Sequence, residues 1–178
     1  MDDIIIGHTR NWIKDVVIGC NFCPFAAKVF KKNIYYEVVN SPQILNVLET
    51  LARNFIAMDE NKERKTSLLI LNNGFTNFRS YFDLFEIAQA LLTKEGYEGI
   101  YQLASFHPLY LFKGSNESDP SNYTNRSPYP MLHILREEDV SMAVDNYPAS
   151  EYIPEINIAF TRQKGLIYMK TLLENCMR

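Results

Sequence analysis

The sequence has few cysteines and no long apolar run. Three cysteines in 178 residues are too few, and odd in number, for a disulfide framework, so we expect a reducing compartment, the cytoplasm. No stretch approaches the roughly eighteen apolar residues of a membrane span. The N-terminal residues also lack the basic region and apolar core of a signal peptide. These absences predict a soluble protein without a membrane partner.

A basic surface is also missing. The net charge is −3 and the pI is about 5.6, and the densest cationic stretch, residues 62–65, includes a glutamate. Nucleic-acid binding requires a basic face, so we expect no nucleic-acid partner. The sequence has no Gly-rich phosphate loop, H-E-x-x-H or G-x-S-x-G motif. Nucleotide hydrolysis, zincin chemistry and α/β-hydrolase chemistry therefore have no support.

The residues that are present predict one α/β domain spanning residues 1–178. Apolar runs predict strands at residues 34–39, 68–71, 100–106 and 131–135. Helical spacing and capping residues predict helices at residues 8–20, 24–32, 41–58, 77–96, 137–146 (halted before Pro148), 150–165 and 166–177. The alternation predicts a four-stranded, mainly parallel or mixed sheet covered by helices, with the direction of the fourth strand undetermined.

A long connection, residues 107–130, joins the third and fourth predicted strands. It far exceeds the usual length of roughly two to six residues, and it holds four of the eight prolines. Its apolar side chains are too numerous for a free linker: Tyr110, Leu111, Phe112, Tyr123 and Tyr129. We interpret this connection as a packed loop that builds a functional site.

Cys23 is a candidate nucleophile or metal ligand. Pro24 is expected at the first position of a helix, which places Cys23 at the N-cap, where the helix dipole lowers the pKa of a thiol. The alternative is a small buried residue beside Phe22 and Phe25, since free cysteine is among the most buried residue types. Cys20 completes a C-x-x-C, but a redox pair belongs in a turn that follows a strand, whereas here a helix precedes the motif.

Two histidines lie on or next to predicted strands. His107 follows the third strand, at the end of the sheet where sites form in α/β proteins, which favours a general base or a metal ligand over a capping role. His133 lies in the middle of the fourth strand, on the same face as Met131 and Leu135. That position is more typical of a hydrogen-bonded core residue, although His133 is also a candidate metal ligand.

The turn before the fourth strand offers candidate ligand-binding residues: Asn125, Arg126, Ser127 and Tyr129. A guanidinium group matches a carboxylate or phosphate with two parallel hydrogen bonds, so this turn predicts an anionic small molecule as partner. In the alternative interpretation, Arg126 holds the loop together by donating to backbone carbonyls.

Three motifs occur together: Trp12 followed by CPFA at residues 23–26, ASFHP at residues 104–108, and TNRSPYPxLHxLRE at residues 124–137. The combination resembles the bacterial domain-of-unknown-function family 1415 over nearly the whole chain. The family typically has leucine at the position of Cys20, which weakens the C-x-x-C interpretation. It has aspartate at the position of Leu109, so a role for that acid is not expected here. The resemblance implies a soluble bacterial protein without an established activity.

Two classes of function follow from these residues. In the first, a small-molecule enzyme uses Cys23 as thiolate nucleophile and His107 as base, with Arg126 holding an anionic substrate. A variant has Cys23, His107 and His133 binding zinc or iron, although the sequence requires no cofactor. In the second, a non-catalytic module binds a ligand or a protein, and its cysteine and histidines are structural. The oligomeric state does not follow from the sequence.

Overall fold

The computed structural model describes residues 1–31, 33–147 and 150–178. The predicted end of the second helix at Lys32 and the predicted halt of a helix before Pro148 lie outside these residues. The helices are α1 (Asp2–Trp12), continued by a π-helix (Ile13–Ile18), α2 (Ala26–Val29), α3 (Ile44–Glu60), α4 (Phe78–Lys94), α5 (Glu137–Asp145), α6 (Ile153–Lys164) and α7 (Leu166–Asn175). The strands are β1 (Ile34–Val39), β2 (Thr66–Leu71), β3 (Tyr101–Phe106) and β4 (Met131–Arg136), and short 3-10 helices cover Pro120–Thr124 and Ser150–Tyr152.

The four strands form one mixed sheet in the order β1-β2-β4-β3. β1 and β2 are parallel, and β4 lies antiparallel between β2 and β3. The α/β class and the mixed sheet are therefore confirmed. The mainly parallel alternative is wrong, because the long loop brings β4 back in the opposite direction and inserts it beside β3.

Two apolar layers sandwich the sheet. Every residue of β2 is buried, as its continuous apolar run predicts for a strand covered on both faces. One layer consists of α3 and α4, whose buried side chains pack on Leu69, Leu71, Leu132 and Ile134. The other layer contains α1, the π-helix and α7, which pack on Leu68, Ile70 and Met131. The second layer also contains the candidate site.

Helix starts differ most from the predictions. α1 begins at Asp2 rather than at residue 8, because Asp2 and Asp3 favourably occupy its first turn and Ile5 is buried on the sheet. Asn77 caps α4 as predicted, its side-chain oxygen accepting from the backbone N–H groups of Arg79 and Ser80 at 2.9 and 3.2 Å.

The prediction that Cys23 occupies a helix N-cap is wrong. α2 contains four residues and its N-cap is Phe25. Cys23 lies in the preceding turn, where its carbonyl oxygen accepts from the N–H of Ala26 at 3.1 Å. Such a short helix supplies little dipole, and Cys23 lies outside it, so the expected N-cap geometry is absent.

The segment that carries Cys23 leaves the π-helix at Gly19. A Cβ atom at this position would collide with the carbonyl oxygen of Asp15, so glycine alone fits. The N–H of Gly19 donates to the carbonyl oxygen of Lys14 at 3.0 Å, which keeps the wide π-type spacing to the end of the helix. Cys20 and Phe22, which follow, are buried in the second layer.

The hydroxyl group of Tyr81 joins the two strands at the point where the long loop leaves and returns. Phe106 ends β3 opposite Met131, which begins β4. The buried Tyr81 hydroxyl donates to the carbonyl oxygen of Met131 at 2.7 Å and accepts from the N–H of Phe106 at 3.1 Å. One side chain of α4 therefore satisfies both backbone groups at the base of the loop.

We expect Tyr81→Phe to lower the free energy of unfolding by about 1–3 kcal/mol, because it leaves a buried donor and a buried acceptor without a partner. Tyr97→Phe is the matched control, since its hydroxyl donates to Asp59 in an exposed contact at 3.0 Å. Urea denaturation of both variants measures the difference. Equal losses in the two variants would contradict a bridging role for Tyr81.

Candidate functional site

A cavity of about 610 Å³ lies between the N-terminal segment, the β3–β4 loop and α6. This volume is typical of small-molecule sites, which span about 300–1,000 Å³. The apolar part of its lining comes from Val17, Phe22, Phe106, Phe112, Ile153, Pro154 and Ile158. The other lining residues are Cys23, Lys113, Gly114, Ser115, Asp119, Ser121, Thr124, Asn125, Asn157 and Arg162.

Two of the predicted site residues, Cys23 and Asn125, line this cavity. Cys23 is a partly buried free cysteine. The amide group of Asn125 donates to the carbonyl oxygen of Ser105 at 3.2 Å, and its oxygen lies 3.1 Å from the hydroxyl of Thr124, which is also 2.9 Å from the carbonyl oxygen of Ser121. Cys23 therefore shares a cavity with an asparagine that is held by contacts of the loop.

An ion pair that the sequence analysis missed closes one side of the cavity. The guanidinium group of Arg162, on α6, donates from Nε and a terminal nitrogen to the two carboxylate oxygens of Asp119 at 3.2 and 2.7 Å. Asp119 also accepts from the N–H of Ser121 at 2.9 Å, which caps the 3-10 helix of the loop. The Arg162 guanidinium holds the pKa of the Asp119 carboxyl group well below its usual range, and the N–H of Ser121 adds to this.

A second contact fixes α6 to the opposite wall. The side-chain amide of Asn157 donates to the carbonyl oxygen of Phe22 at 2.9 Å. Arg162 and Asn157 therefore connect α6 with the loop and with the segment that carries Cys23. Local periodicity predicts α6 as a helix but contains no signal for either contact, because each partner lies far away in the sequence.

His107 lies outside the cavity, although its neighbour Phe106 lines it. The buried ring packs between Tyr81 and Phe78, with centroids at 4.9 and 5.4 Å, in the layer formed by α4. Nδ1 accepts from the N–H of Leu109 at 2.9 Å, so Nε2 carries the proton and donates to the carbonyl oxygen of Phe75 at 2.9 Å. Both ring nitrogens are thus engaged.

These contacts give His107 a structural role and leave the predicted base or metal ligand without support. Burial lowers the pKa of His107 and favours the neutral ring. Its partner Phe75 has a φ of +54°, in the left-handed region that side chains rarely adopt. His107 therefore stabilises a strained turn before α4 and anchors the start of the long loop.

His133 is a hydrogen-bonded residue of the sheet, as its strand position indicates. The hydroxyl of Thr66 donates to the carbonyl oxygen of Ile134 at 2.5 Å and thus accepts from Nε2 of His133 at 2.5 Å. Burial lowers the pKa of His133 to about 4. Within residues 1–31, 33–147 and 150–178, no three His, Cys, Asp or Glu side chains are placed to hold a metal ion, and Cys23, His107 and His133 do not come together.

The Asn125–Tyr129 turn is held by internal contacts. The buried Arg126 donates to the carbonyl oxygens of Tyr110 at 3.2 Å and Glu117 at 3.1 Å, so the structure favours the interpretation in which this arginine stabilises the loop. The buried Ser127 hydroxyl donates to the carbonyl oxygen of Tyr129 at 2.6 Å. The hydroxyl of Tyr129 lies 2.8 Å from Nδ1 of His8. Of the four predicted ligand-binding residues, Asn125 alone is among those that line the cavity.

We expect the protein to lose stability as the pH falls below about 6.5. Burial lowers the pKa of His107, and it lowers that of His133 from 6.5 to about 4. The unfolded chain therefore binds these protons first, so the stabilisation is complete above pH 6.5 and is lost between 6.5 and 4. For His133 this amounts to about 2 kcal/mol between pH 7.5 and pH 5.

Urea denaturation at pH 7.5, 6 and 5 measures this loss. The His133→Gln variant should lose most of the pH dependence while the neutral amide keeps a donor for Thr66. An unchanged pH dependence in His133→Gln and in His107→Gln would contradict the assignment of the effect to these two residues.

The chain was compared with family models, curated proteins and solved structures. The model of the family described as Protein of unknown function (DUF1415) matches residues 4–171. Neither a curated protein nor a solved structure matched the chain. Across the residues that the structure describes, no helix combines the length and the apolar character that crossing a membrane requires.

Proposed function

This chain belongs to the DUF1415 family, and from that premise, which assigns no activity, we propose that its cavity binds a small organic anion with an apolar body. The observation that carries this proposal is the composition of the lining. Aromatic and aliphatic side chains suit an apolar body, and the ammonium group of Lys113 suits a negative charge. The described residues place no ion-pair partner on Lys113, so its charge is available to a ligand.

The contacts around Cys23 favour binding over catalysis. A nucleophilic cysteine requires a nearby base or another source of a lowered pKa. The imidazole of His107 packs in the other layer with both nitrogens engaged, and the turn before α2 supplies no helix dipole of useful length. Cys23 is then a wall residue that contacts the ligand.

We expect 2-naphthoate, a carboxylate on a flat apolar body, to bind with one site per chain in isothermal titration calorimetry. Ile158→Trp, which places a larger side chain in the cavity, should weaken this binding at least tenfold. The matched control is Ile167→Trp, because Ile167 is 83% exposed on α7 and is not among the lining residues. Equal affinities of the two variants, each shown to be folded by circular dichroism, would locate the binding elsewhere.

A second candidate function is covalent chemistry at Cys23. The observation that favours it is a free, partly exposed thiol in the wall of the cavity. Burial raises the pKa of the Cys20 thiol and raises that of Cys176 to about 11, so neither of these should compete as a thiolate. Cys23 can therefore be examined alone.

We expect iodoacetamide to modify Cys23 selectively in the folded protein at pH 8 and 2-naphthoate to slow this reaction. Peptide mass spectrometry identifies the modified residue, and Cys23→Ser is the control. Modification at pH 6.5 that is slower than that of free cysteine supports the binding function. Faster modification at that pH would instead support a nucleophile, and modification that requires denaturant would contradict both.

A further inference from the structure

Three charged side chains line the cavity: Lys113, Asp119 and Arg162. Two of them neutralise each other, because the guanidinium of Arg162 donates to both oxygens of Asp119. The lining therefore carries a net charge of +1, and the ammonium group of Lys113 supplies it. Of the two cationic side chains in the lining, only that of Lys113 is without an ion-pair partner among the described residues.

Several contacts fix the Asp119 carboxylate in the position where it pairs with the guanidinium group of Arg162. Its side chain is 13% exposed, whereas that of Arg162 is 59% exposed. The additional bond from the N–H of Ser121 fixes the carboxylate at the start of the 3-10 helix. A ligand carboxylate that approached Arg162 would meet a guanidinium whose charge the Asp119 carboxylate already balances, in an exposed position, so it would gain little.

Arg126 does not provide a further cation. Its guanidinium donates to carbonyl oxygens inside the loop and lies over the ring of Tyr123 at 4.7 Å, and it is not among the lining residues. A doubly charged group such as a phosphate normally requires several donors or an arginine fork. Asp119 already takes the Nε edge of Arg162, so a ligand meets only the remaining terminal N–H groups of a guanidinium whose charge is balanced.

We propose that the cavity selects a singly charged organic acid, a monocarboxylate with an apolar body, and that Asp119 sets this selectivity by neutralising Arg162. This inference rests on the function proposed above and adds the charge of the ligand. Lys113 provides the single favourable charge, and Asp119 is the specificity-determining residue. Replacing the Asp119 carboxylate by a neutral group would release the guanidinium of Arg162 and shift the preference from a singly to a doubly negative ligand.

Three probes with the same ring system test the charge preference: naphthalene-2-carboxamide, 2-naphthoate and naphthalene-2,6-dicarboxylate. Calorimetry on the unmodified protein should rank 2-naphthoate first. Because Lys113 is exposed, we expect the affinity of 2-naphthoate to exceed that of the neutral amide by roughly threefold to fivefold. The dicarboxylate should bind more weakly than 2-naphthoate, since its second carboxylate finds no free cation.

Asp119→Asn is the decisive variant. The asparagine side chain keeps an oxygen that accepts from the N–H of Ser121, so the cap of the 3-10 helix is preserved. The released Arg162 should then make the dicarboxylate bind at least as tightly as 2-naphthoate. Lys113→Met should abolish the preference for 2-naphthoate over the amide. The matched control Lys170→Met removes an exposed ammonium on α7, which pairs with Glu174, and should change nothing.

The outcomes separate the two proposals. If none of the three probes binds, both the proposed function and this inference fail. If the probes bind in the cavity, as shown by the effect of Ile158→Trp, but the dicarboxylate or the amide ranks first, the inference alone fails. The inference also fails if Asp119→Asn leaves the ranking unchanged in a folded protein.

Discussion

The long β3–β4 loop depends on the buried hydroxyl group of Tyr81. This hydroxyl accepts from the N–H of Phe106 and donates to the carbonyl oxygen of Met131, the two residues that face each other at the base of the loop. Closing a long loop costs conformational entropy, which favourable contacts at its two ends help to offset. Tyr81, on α4, fixes both ends of the loop, so the loop is anchored directly to the strands β3 and β4.

The residues that carry the family resemblance mainly build the loop. His107 connects the loop to the strained turn at Phe75, and Arg126 connects two parts of the loop through carbonyl oxygens. Trp12, on α1, donates from Nε1 to the carbonyl oxygen of Arg126 at 3.0 Å and packs on the ring of Phe106 at 5.0 Å. These polar side chains form hydrogen bonds with backbone groups of the protein, which must be paired when they are buried. Polar residues in the family motifs therefore need not bind a ligand.

The sequence predicted the strands well and the site poorly, for physical reasons. Each strand is an apolar run, which is a local signal, and the observed bounds differ from the predicted ones by at most two residues. The direction of β4 and the tautomer of His107 depend on contacts between distant segments. Of the predicted residues, Cys23 and Asn125 line the cavity, whereas the Asp119–Arg162 pair joins residues with no pattern in common. Cys23 misses the expected N-cap because α2 begins only at Ala26, three residues further along the chain.

Two arginines stabilise the loop next to the cavity through different partners. Arg126 is buried, and its donors satisfy carbonyl oxygens of the loop, so its charge stabilises the wall from behind. Arg162 comes from α6 and satisfies the carboxylate that caps the loop's 3-10 helix. With both guanidinium groups engaged by the protein itself, the ligand binding that we propose depends on the exposed ammonium group of Lys113. The cavity wall is therefore held by the buried contacts of Arg126 and by the more exposed ion pair of Arg162, and Lys113 carries the remaining formal charge of the lining.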